Sequence, residues 1–205
     1  MVADQLLARN IRDELVLAAM GTVPRELFVP ERERDLAYRD GPLSIGAGQT
    51  ISQPFIVARM AELLRVTDGD RVLEVGTGSG YAAAVLAEMG CRVTSIERDP
   101  GLAGDARRRL AELGYADRVD VRMGDGSLGL PDGAPWDGIV VAAAAPEVPA
   151  ALREQLGDGR RLVIPVGSRR EQQLLVVERH GDEWVETSDG ACVFVPLIGG
   201  GGWTG

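Results

Sequence analysis

Histidine and cysteine are scarce in this chain, and their scarcity removes several kinds of chemistry at once. Among 205 residues there is one histidine, His180, and there are two cysteines, Cys91 and Cys192, with no Cys-x-x-Cys spacing. Zinc sites draw on clusters of those residue types, so zinc chemistry is excluded and no metal is expected. The two thiols read as buried structural groups in a reducing compartment. His180 lies in the turn-like stretch "ERHGDEW", where an exposed hairpin position is the plainest reading. Basic residues are outnumbered, 22 against 31 acidic ones, for a net charge of −9. Nucleic-acid binding relies on neutralising phosphates, so no nucleic-acid partner is expected. The one basic cluster, Arg107-Arg108-Arg109, reads as a solvated helix face. No apolar run is long enough to span a bilayer, and the N-terminus, with Asp4 and Arg9 among its apolar residues, lacks a signal-peptide core. A cytoplasmic protein with no membrane partner, and a monomer, is expected.

What is present is the composition of an ordinary globular domain, 45% hydrophobic and 26% charged, without internal repeats. The length suits one domain over 1–205. Residues 4–20 place apolar groups at helical spacing and stop at Gly21. The proline-bracketed "VPRELFVP" (23–30) reads as a connector with a short helix, and 31–53 are turn-rich. Ser52 is a candidate N-cap and Pro54 a first-turn residue for a helix over 54–65. Strands then follow at 71–76, 92–97, 118–125, 136–144 and 160–167, separated by helices at 81–89, 100–113 and 148–156. A hairpin over 172–190 turns at His180-Gly181-Asp182, and 191–197 reads as a last strand. The glycine-rich tail, 199–205, is flexible in composition. This alternation predicts an α/β fold with a doubly wound, mostly parallel sheet and an antiparallel C-terminal edge.

The strongest motif is Glu74-Val75-Gly76-Thr77-Gly78-Ser79-Gly80, which follows the first buried strand and opens a helix. Glycine loops in that setting let a ligand approach the backbone closely. A Walker loop would need Lys and Ser or Thr after its last glycine, where Tyr81 and Ala82 stand. A dinucleotide loop spaces its third glycine one residue later. Glu74 would also repel a pyrophosphate. A ligand carrying an ammonium and a sulfonium suits that acid instead. Glu97 ends the next strand about 20 positions on, where an acid meets ribose hydroxyls. Together these features point to S-adenosylmethionine, held by Glu74, Gly76, Thr77, Gly78, Gly80 and Glu97. A second turn, Gly124-Asp125-Gly126, offers Asp125 to an adenine amine, although Asp-Gly also makes plain turns. A carboxylate acceptor is ionised at neutral pH and needs no base. It needs neutral donors, and Thr50 and Ser52 in "GAGQTISQPF" supply hydroxyls just ahead of a helix N-terminus.

The segments "VPRELFVP", "PLSIGAGQTISQPFIVARMAELL", "VLEVGTGSGYAAAVLAEMG", "GDG", "PWDGIVVAAAAPEVPAALREQLGDGRRLVIPVG" and "VFVPL" together resemble protein-L-isoaspartate O-methyltransferases, over residues 1 to about 198. The Gly-Gln-Thr-Ile-Ser-Gln-Pro block is specific to that family, whereas the glycine loop is shared by most S-adenosylmethionine methyltransferases. The resemblance implies a Rossmann-like methyltransferase fold. It also implies methyl esterification of the isoaspartyl carboxylate that forms as Asn and Asp residues age, yielding S-adenosylhomocysteine. The ester then closes to a succinimide that partly reopens as normal aspartate. Carried over by position, Ser52 resembles the acceptor-side serine, and Gln49, Thr50 and Ile51 lie in the block lining the cofactor. Gly76, Glu97, Arg98, Asp125 and Gly126 match further cofactor positions. Val195, Pro196 and Leu197 resemble the segment bordering the substrate backbone. Residues 1–53 would form a helical and loop cap on the substrate side. Phe55 and Val57 stand where some relatives carry histidine. Two other functions compete: esterification of a normal aspartate in one peptide precursor on the way to an aspartimide, and cofactor binding without catalysis. The chain ends soon after "VFVPL", which favours repair, and the intact serine block argues for catalysis.

Overall fold

The computed structural model describes residues 1–204. Two short helical turns, Val2–Leu6 and Leu7–Arg9, lead into helix α1 (Glu14–Thr22). The continuous helix expected over 4–20 is therefore broken. Asn10 takes a left-handed conformation (φ 66), and Asp13 caps a new helix by accepting a bond from the Val16 amide. After two 3₁₀ turns (Arg25–Phe28 and Glu31–Leu36), β1 (Leu43–Gly46) and β2 (Gln49–Ile51) form an antiparallel hairpin. Its turn residues, Ala47 and Gly48, both have positive φ (50 and 69), as tight two-residue hairpins require. Strands this short carry too little alternation to be read as strands from sequence. Helix α2 (Pro54–Leu64) starts on Pro54 as expected, but its N-cap is Gln53, not Ser52, and no side chain caps it.

The main sheet holds β3 (Arg71–Val75), β4 (Arg92–Glu97), β5 (Val119–Met123), β6 (Trp136–Val141), β7 (Leu156–Gly167), β8 (Gln172–His180) and β9 (Glu183–Cys192). Helices α3 (Tyr81–Glu88), α4 (Pro100–Glu112) and α5 (Ala150–Glu154) lie between its strands in sequence. The strand order is β5-β4-β3-β6-β7-β8-β9, parallel from β5 to β7 and antiparallel beyond. Both faces are covered, so the parallel strands read as continuous apolar runs. Val72, Val93, Val140 and Val163 point into a core shared with α1 to α4. Leu73, Val75, Ile139, Leu162 and Ile164 point to the other face, where Leu152 of α5 packs. The last strand expected over 191–197 is divided. Ala191 and Cys192 end β9, and 193–197 runs on as an extended segment that meets Ala144 at Pro196. The segment is held there by the Ala144 amide donating to the Val195 carbonyl and the Leu197 amide donating to the Ala144 carbonyl, and Pro196 between them has no N–H for further pairing.

Chain order places the binding crevice. From β3 the chain builds outward through β4 and β5, then returns to β6 on the opposite side of β3. Open α/β sheets bind ligands beyond the carboxyl ends of the strands at such a reversal.

Candidate active site at the sheet reversal

Gly76, Gly78 and Gly80 follow β3 with φ of 95, 51 and 87, all left-handed, and side chains would be strained at each. The alternate-residue spacing of the motif therefore encodes a backbone path. The Gly76 and Thr77 amides donate to the Ile96 carbonyl, which ties the loop to β4. From α4, Arg109 Nη1 donates to the Ser79 carbonyl (2.8 Å), and Arg107 Nη2 donates to the Val121 carbonyl (2.7 Å). This narrows the reading of 107–109 as a solvated face: Arg107 and Arg108 are exposed, with Arg108 pairing with Asp105 at the surface, whereas Arg109 is half-buried against the loop. Nothing in the helical pattern distinguishes the three arginines, because the difference lies in what each faces.

Two acids stand beneath the loop. Glu97 is buried, and its two oxygens accept from the amides of Gly78 (2.9 Å) and Asp99 (3.0 Å). Glu74 is buried on β3; one of its oxygens accepts from the Ser95 hydroxyl, which also contacts the Thr77 hydroxyl (2.5 Å). The other, Oε1, has no hydrogen-bond partner among the described residues. Burial raises the Glu74 pKa to about 8, with the Ser95 bond opposing and the Glu97 charge adding to the shift. Thr77 was expected at the site; Ser95 was missed in the sequence, although a serine at an inward position of a buried strand signals a polar neighbour.

The β1–β2 hairpin and the residue after it close the other side. Ala47, Gln49, Thr50, Ile51 and Ser52 line a cavity of about 470 Å³ together with Glu74, Gly76, Thr77, Gly78, Glu97, Arg98 and Gly126. Val195, Pro196 and Leu197 line it as well, held by bonds between Ala144 N and Val195 O and between Leu197 N and Ala144 O (both 2.8 Å). Of the residues expected at the site, Gly80 and Asp125 do not line this cavity. A second cavity of about 190 Å³ shares Thr50, Ser52, Ala142 and Val195 with the first and runs toward Phe55, Phe194 and Arg9. Ser52 thus stands where the two meet. Its hydroxyl makes no hydrogen bond among the described residues, and its carbonyl accepts from Arg25. The larger volume is in the range of small-molecule sites. The lining suits a cationic nucleoside ligand: an orphaned buried carboxyl oxygen, a second carboxylate with lone pairs to spare, and glycines that admit close approach.

The family model described as protein-L-isoaspartate(D-aspartate) O-methyltransferase (PCMT) matches residues 1–202. This chain belongs to that family. It is 58% identical to protein-L-isoaspartate O-methyltransferase 1 of Rhodopseudomonas palustris, over 99% of the chain and 83% of the relative. It is 56% identical to the protein-L-isoaspartate O-methyltransferase of Methylorubrum populi, over 100% of the chain and 96% of the relative. A solved protein-L-isoaspartate O-methyltransferase aligns with a TM-score of 0.87 at 29% identity, over 98% of the chain and 67% of its own. A Plasmodium falciparum protein assigned to the same methyltransferase class, solved in complex with S-adenosyl-L-homocysteine, shares the fold at a TM-score of 0.81 and 24% identity, over 96% of each chain. The doubly wound, mostly parallel sheet read from the strand and helix alternation, and the Rossmann-like methyltransferase fold implied by the resemblance, are both borne out. No helix among the described residues is long and apolar enough to cross a membrane.

Against that family background, Asp125 and the tail depart from expectation. The Asp125 carboxylate accepts from the Ser127 amide (3.0 Å), the Ser127 hydroxyl (2.6 Å) and the Gly200 amide (2.7 Å). Burial pushes its pKa up, but those bonds outweigh it and the net shift is downward. Residues 199–204, expected to be flexible, turn back on themselves. Gly201 N donates to Ser127 Oγ (2.9 Å) and Trp203 Nε1 to the Ala144 carbonyl (3.1 Å). Gly205, the last residue of the expected flexible tail, lies outside the described residues. The glycines are needed for contact rather than freedom. A Cβ on Gly199 would sit 2.0 Å from Asp125 Oδ1, and one on Gly202 would sit 2.2 Å from the Leu197 carbonyl. Gly199→Ala should therefore lower stability by about 1–3 kcal/mol in urea unfolding. The control is Gly104→Ala in α4, whose Cβ would meet nothing within 4 Å, and which should hold or gain stability. An unchanged midpoint for Gly199→Ala would mean that the tail is not held in solution.

Proposed function

We infer that this chain transfers a methyl group from S-adenosylmethionine to the free carboxylate of isoaspartyl residues in aged proteins and peptides. The observation that carries this reading is a convergence on one cavity. The glycine loop with Glu74 and Glu97 forms one side, and Ser52, whose hydroxyl caps no helix, forms the other. S-adenosylmethionine supplies an electrophilic methyl on a sulfonium. On the cofactor side, the unpartnered Glu74 oxygen suits an ammonium, and Glu97 suits vicinal ribose hydroxyls. Gln49, Ile51, Gly76, Thr77, Gly78, Arg98 and Gly126 line the same space, while Gly80 shapes the loop. Asp125 would act through its turn, since its carboxylate is already occupied by Ser127 and Gly200.

On the acceptor side no base is required, because the carboxylate arrives ionised. The lone Ser52 hydroxyl can donate to it without taking its charge, and Thr50 adds a second hydroxyl on the same wall. A neutral donor steadies the oxygen yet leaves it nucleophilic, whereas a cation would quench it. Val195, Pro196 and Leu197, pinned to Ala144, offer a fixed backbone edge to the peptide. Residues 1–53 act as the acceptor-side cap and exclude water, which would otherwise solvate the carboxylate and slow displacement. Repair of many proteins, rather than modification of one dedicated peptide, is the reading favoured here.

The test is methyl transfer from labelled S-adenosylmethionine to paired peptides that differ only in isoaspartate or aspartate. Label is expected in the isoaspartyl peptide alone and should be released as methanol in base. Strong labelling of the aspartyl peptide alone would favour the dedicated-peptide function. Ser52→Ala should bind S-adenosylhomocysteine normally while kcat falls by about ten- to a hundredfold, the worth of one hydrogen bond to a charged acceptor. Unchanged turnover would remove Ser52 from the mechanism.

A further inference from the structure

Arg25 is completely buried (0% exposed), and both of its hydrogen-bond acceptors are backbone carbonyls rather than acids. Its Nε donates to the Ala37 carbonyl and its Nη2 to the Ser52 carbonyl, each at 2.7 Å. Its Cζ lies 4.8 Å from the centre of the Tyr81 ring, and Nη1 has no partner among the described residues. Burial lowers its pKa, with the Tyr81 oxygen opposing. A buried guanidinium without a carboxylate is costly, and an apolar side chain of similar volume would fill the space without that cost. What an apolar side chain lacks is a rigid fork that holds two carbonyls at once while stacking on a ring.

The three contacts belong to three different parts of the molecule. Ala37 ends the second 3₁₀ turn of the N-terminal region. Ser52 stands on the acceptor side of the main cavity, and its carbonyl belongs to the residue whose hydroxyl is free to face an acceptor. Tyr81 is the first residue of α3, directly after Gly80, and it also lines the cavity. Its ring also packs edge-to-face with Phe28, at 5.4 Å between centroids and an interplanar angle of 67°. Methyl transfer forms an oxygen–carbon bond as the sulfur–carbon bond breaks, with the electron pair leaving on sulfur. It therefore depends on the distance between groups held by the glycine loop and by the acceptor segment.

We propose that Arg25 is a positioning residue for this transfer, a buried bracket that ties the backbone of Ser52 to the root of the glycine loop. It touches neither cofactor nor acceptor. The proposal rests on the assignment of the two sides of the cavity made above.

The variants that test it are Arg25→Met, which keeps the volume and removes the fork, and Arg25→Lys, which keeps the charge. With the isoaspartyl peptide, kcat of Arg25→Met should fall about thirtyfold, while the Kd for S-adenosylhomocysteine stays within about twofold. Arg25→Lys should recover only part of the loss, because an ammonium reaches one carbonyl and not both, and it carries the test if Arg25→Met does not fold. In the complex with S-adenosylhomocysteine, amides of residues 50–56 should exchange hydrogen faster in the variant, with those of α5 unchanged. Wild-type kcat in either folded variant would overturn the proposal. So would equal losses in kcat, cofactor affinity and thermal stability, which mark a general structural role. If the wild-type enzyme methylated no isoaspartyl peptide, the reading of the reaction would fail, while exchange at 50–56 would still decide whether Arg25 holds Ser52.

Discussion

Glu97→Ala should fold, and should bind S-adenosylhomocysteine at least about 100-fold more weakly than the parent chain. The magnitude comes from counting lone pairs. An ionised carboxylate accepts about four hydrogen bonds. Two of the Glu97 sites are filled by the amides of Gly78 and Asp99, so two remain for hydroxyls of a ligand in the cavity it lines. Bonds to a charged acceptor contribute about 1.5–3 kcal/mol each, and losing two of them together exceeds the roughly 2.7 kcal/mol that separates affinities 100-fold apart. Glutamine is not a gentler substitution here. Both oxygens already face backbone N–H groups, so the amide nitrogen of Glu97→Gln would meet a donor whichever way it turned. Aspartate keeps the charge but draws it back from the loop, and should give an intermediate loss. Calorimetric titration with S-adenosylhomocysteine reads all three variants. Affinity within threefold of the parent for Glu97→Ala would refute the ribose role and leave Glu97 as a brace for the loop.

The parts of this site that were legible in the sequence are those where residue type and backbone geometry coincide. Gly76, Gly78 and Gly80 could be read because only glycine takes those φ values without strain, and Glu97 because an acid at a strand end has few other uses. The sheet was legible for a related reason: runs such as Val72-Leu73 and Ile139-Val140-Val141 are apolar on both faces, which only a covered parallel strand requires. What could not be read depends on distant partners. Asp125 looked available to adenine, but one of its oxygens accepts twice from Ser127 and the other accepts from Gly200, 75 positions away in sequence. The tail looked loose by composition, yet Gly199 is there because a carboxylate lies against it. Arg109 looked like surface charge, and Arg25 stood only as part of a connector, until the carbonyls they reach were placed beside them. Local periodicity reports how a segment exposes its faces; it carries no information on which carbonyl or carboxylate a buried arginine meets.

The affinity of the chain for S-adenosylhomocysteine should rise with pH between about 6 and 8, by up to roughly tenfold per pH unit, and level off above. The sign follows from the Glu74 pKa of about 8, raised first by burial and then by the Glu97 charge. Below that value the empty site holds a proton on Glu74. An ammonium seated against the carboxyl favours the ionised form, so binding expels close to one proton at pH 7, and proton release makes affinity climb with pH. Calorimetry in buffers of different ionisation enthalpy measures that proton directly. Glu74→Gln keeps an acceptor for Ser95 but has no proton to lose. Its affinity should be flat over the same range and, at about pH 8, roughly 100-fold below the parent, the cost of one charge pair in a water-poor site. Stability without ligand should run in the opposite direction. A carboxyl whose pKa is raised by folding stabilises the fold fully below its unfolded value of about 4.5, and that contribution is lost as pH climbs toward 8. The unliganded chain should therefore melt at lower temperature as pH rises through this window, and saturating S-adenosylhomocysteine should offset the fall, because the same ionisation that destabilises the empty site strengthens binding. Parallel pH profiles for the parent and Glu74→Gln, in affinity and in melting temperature, would show that the proton is held elsewhere and that Glu74 does not receive the ammonium.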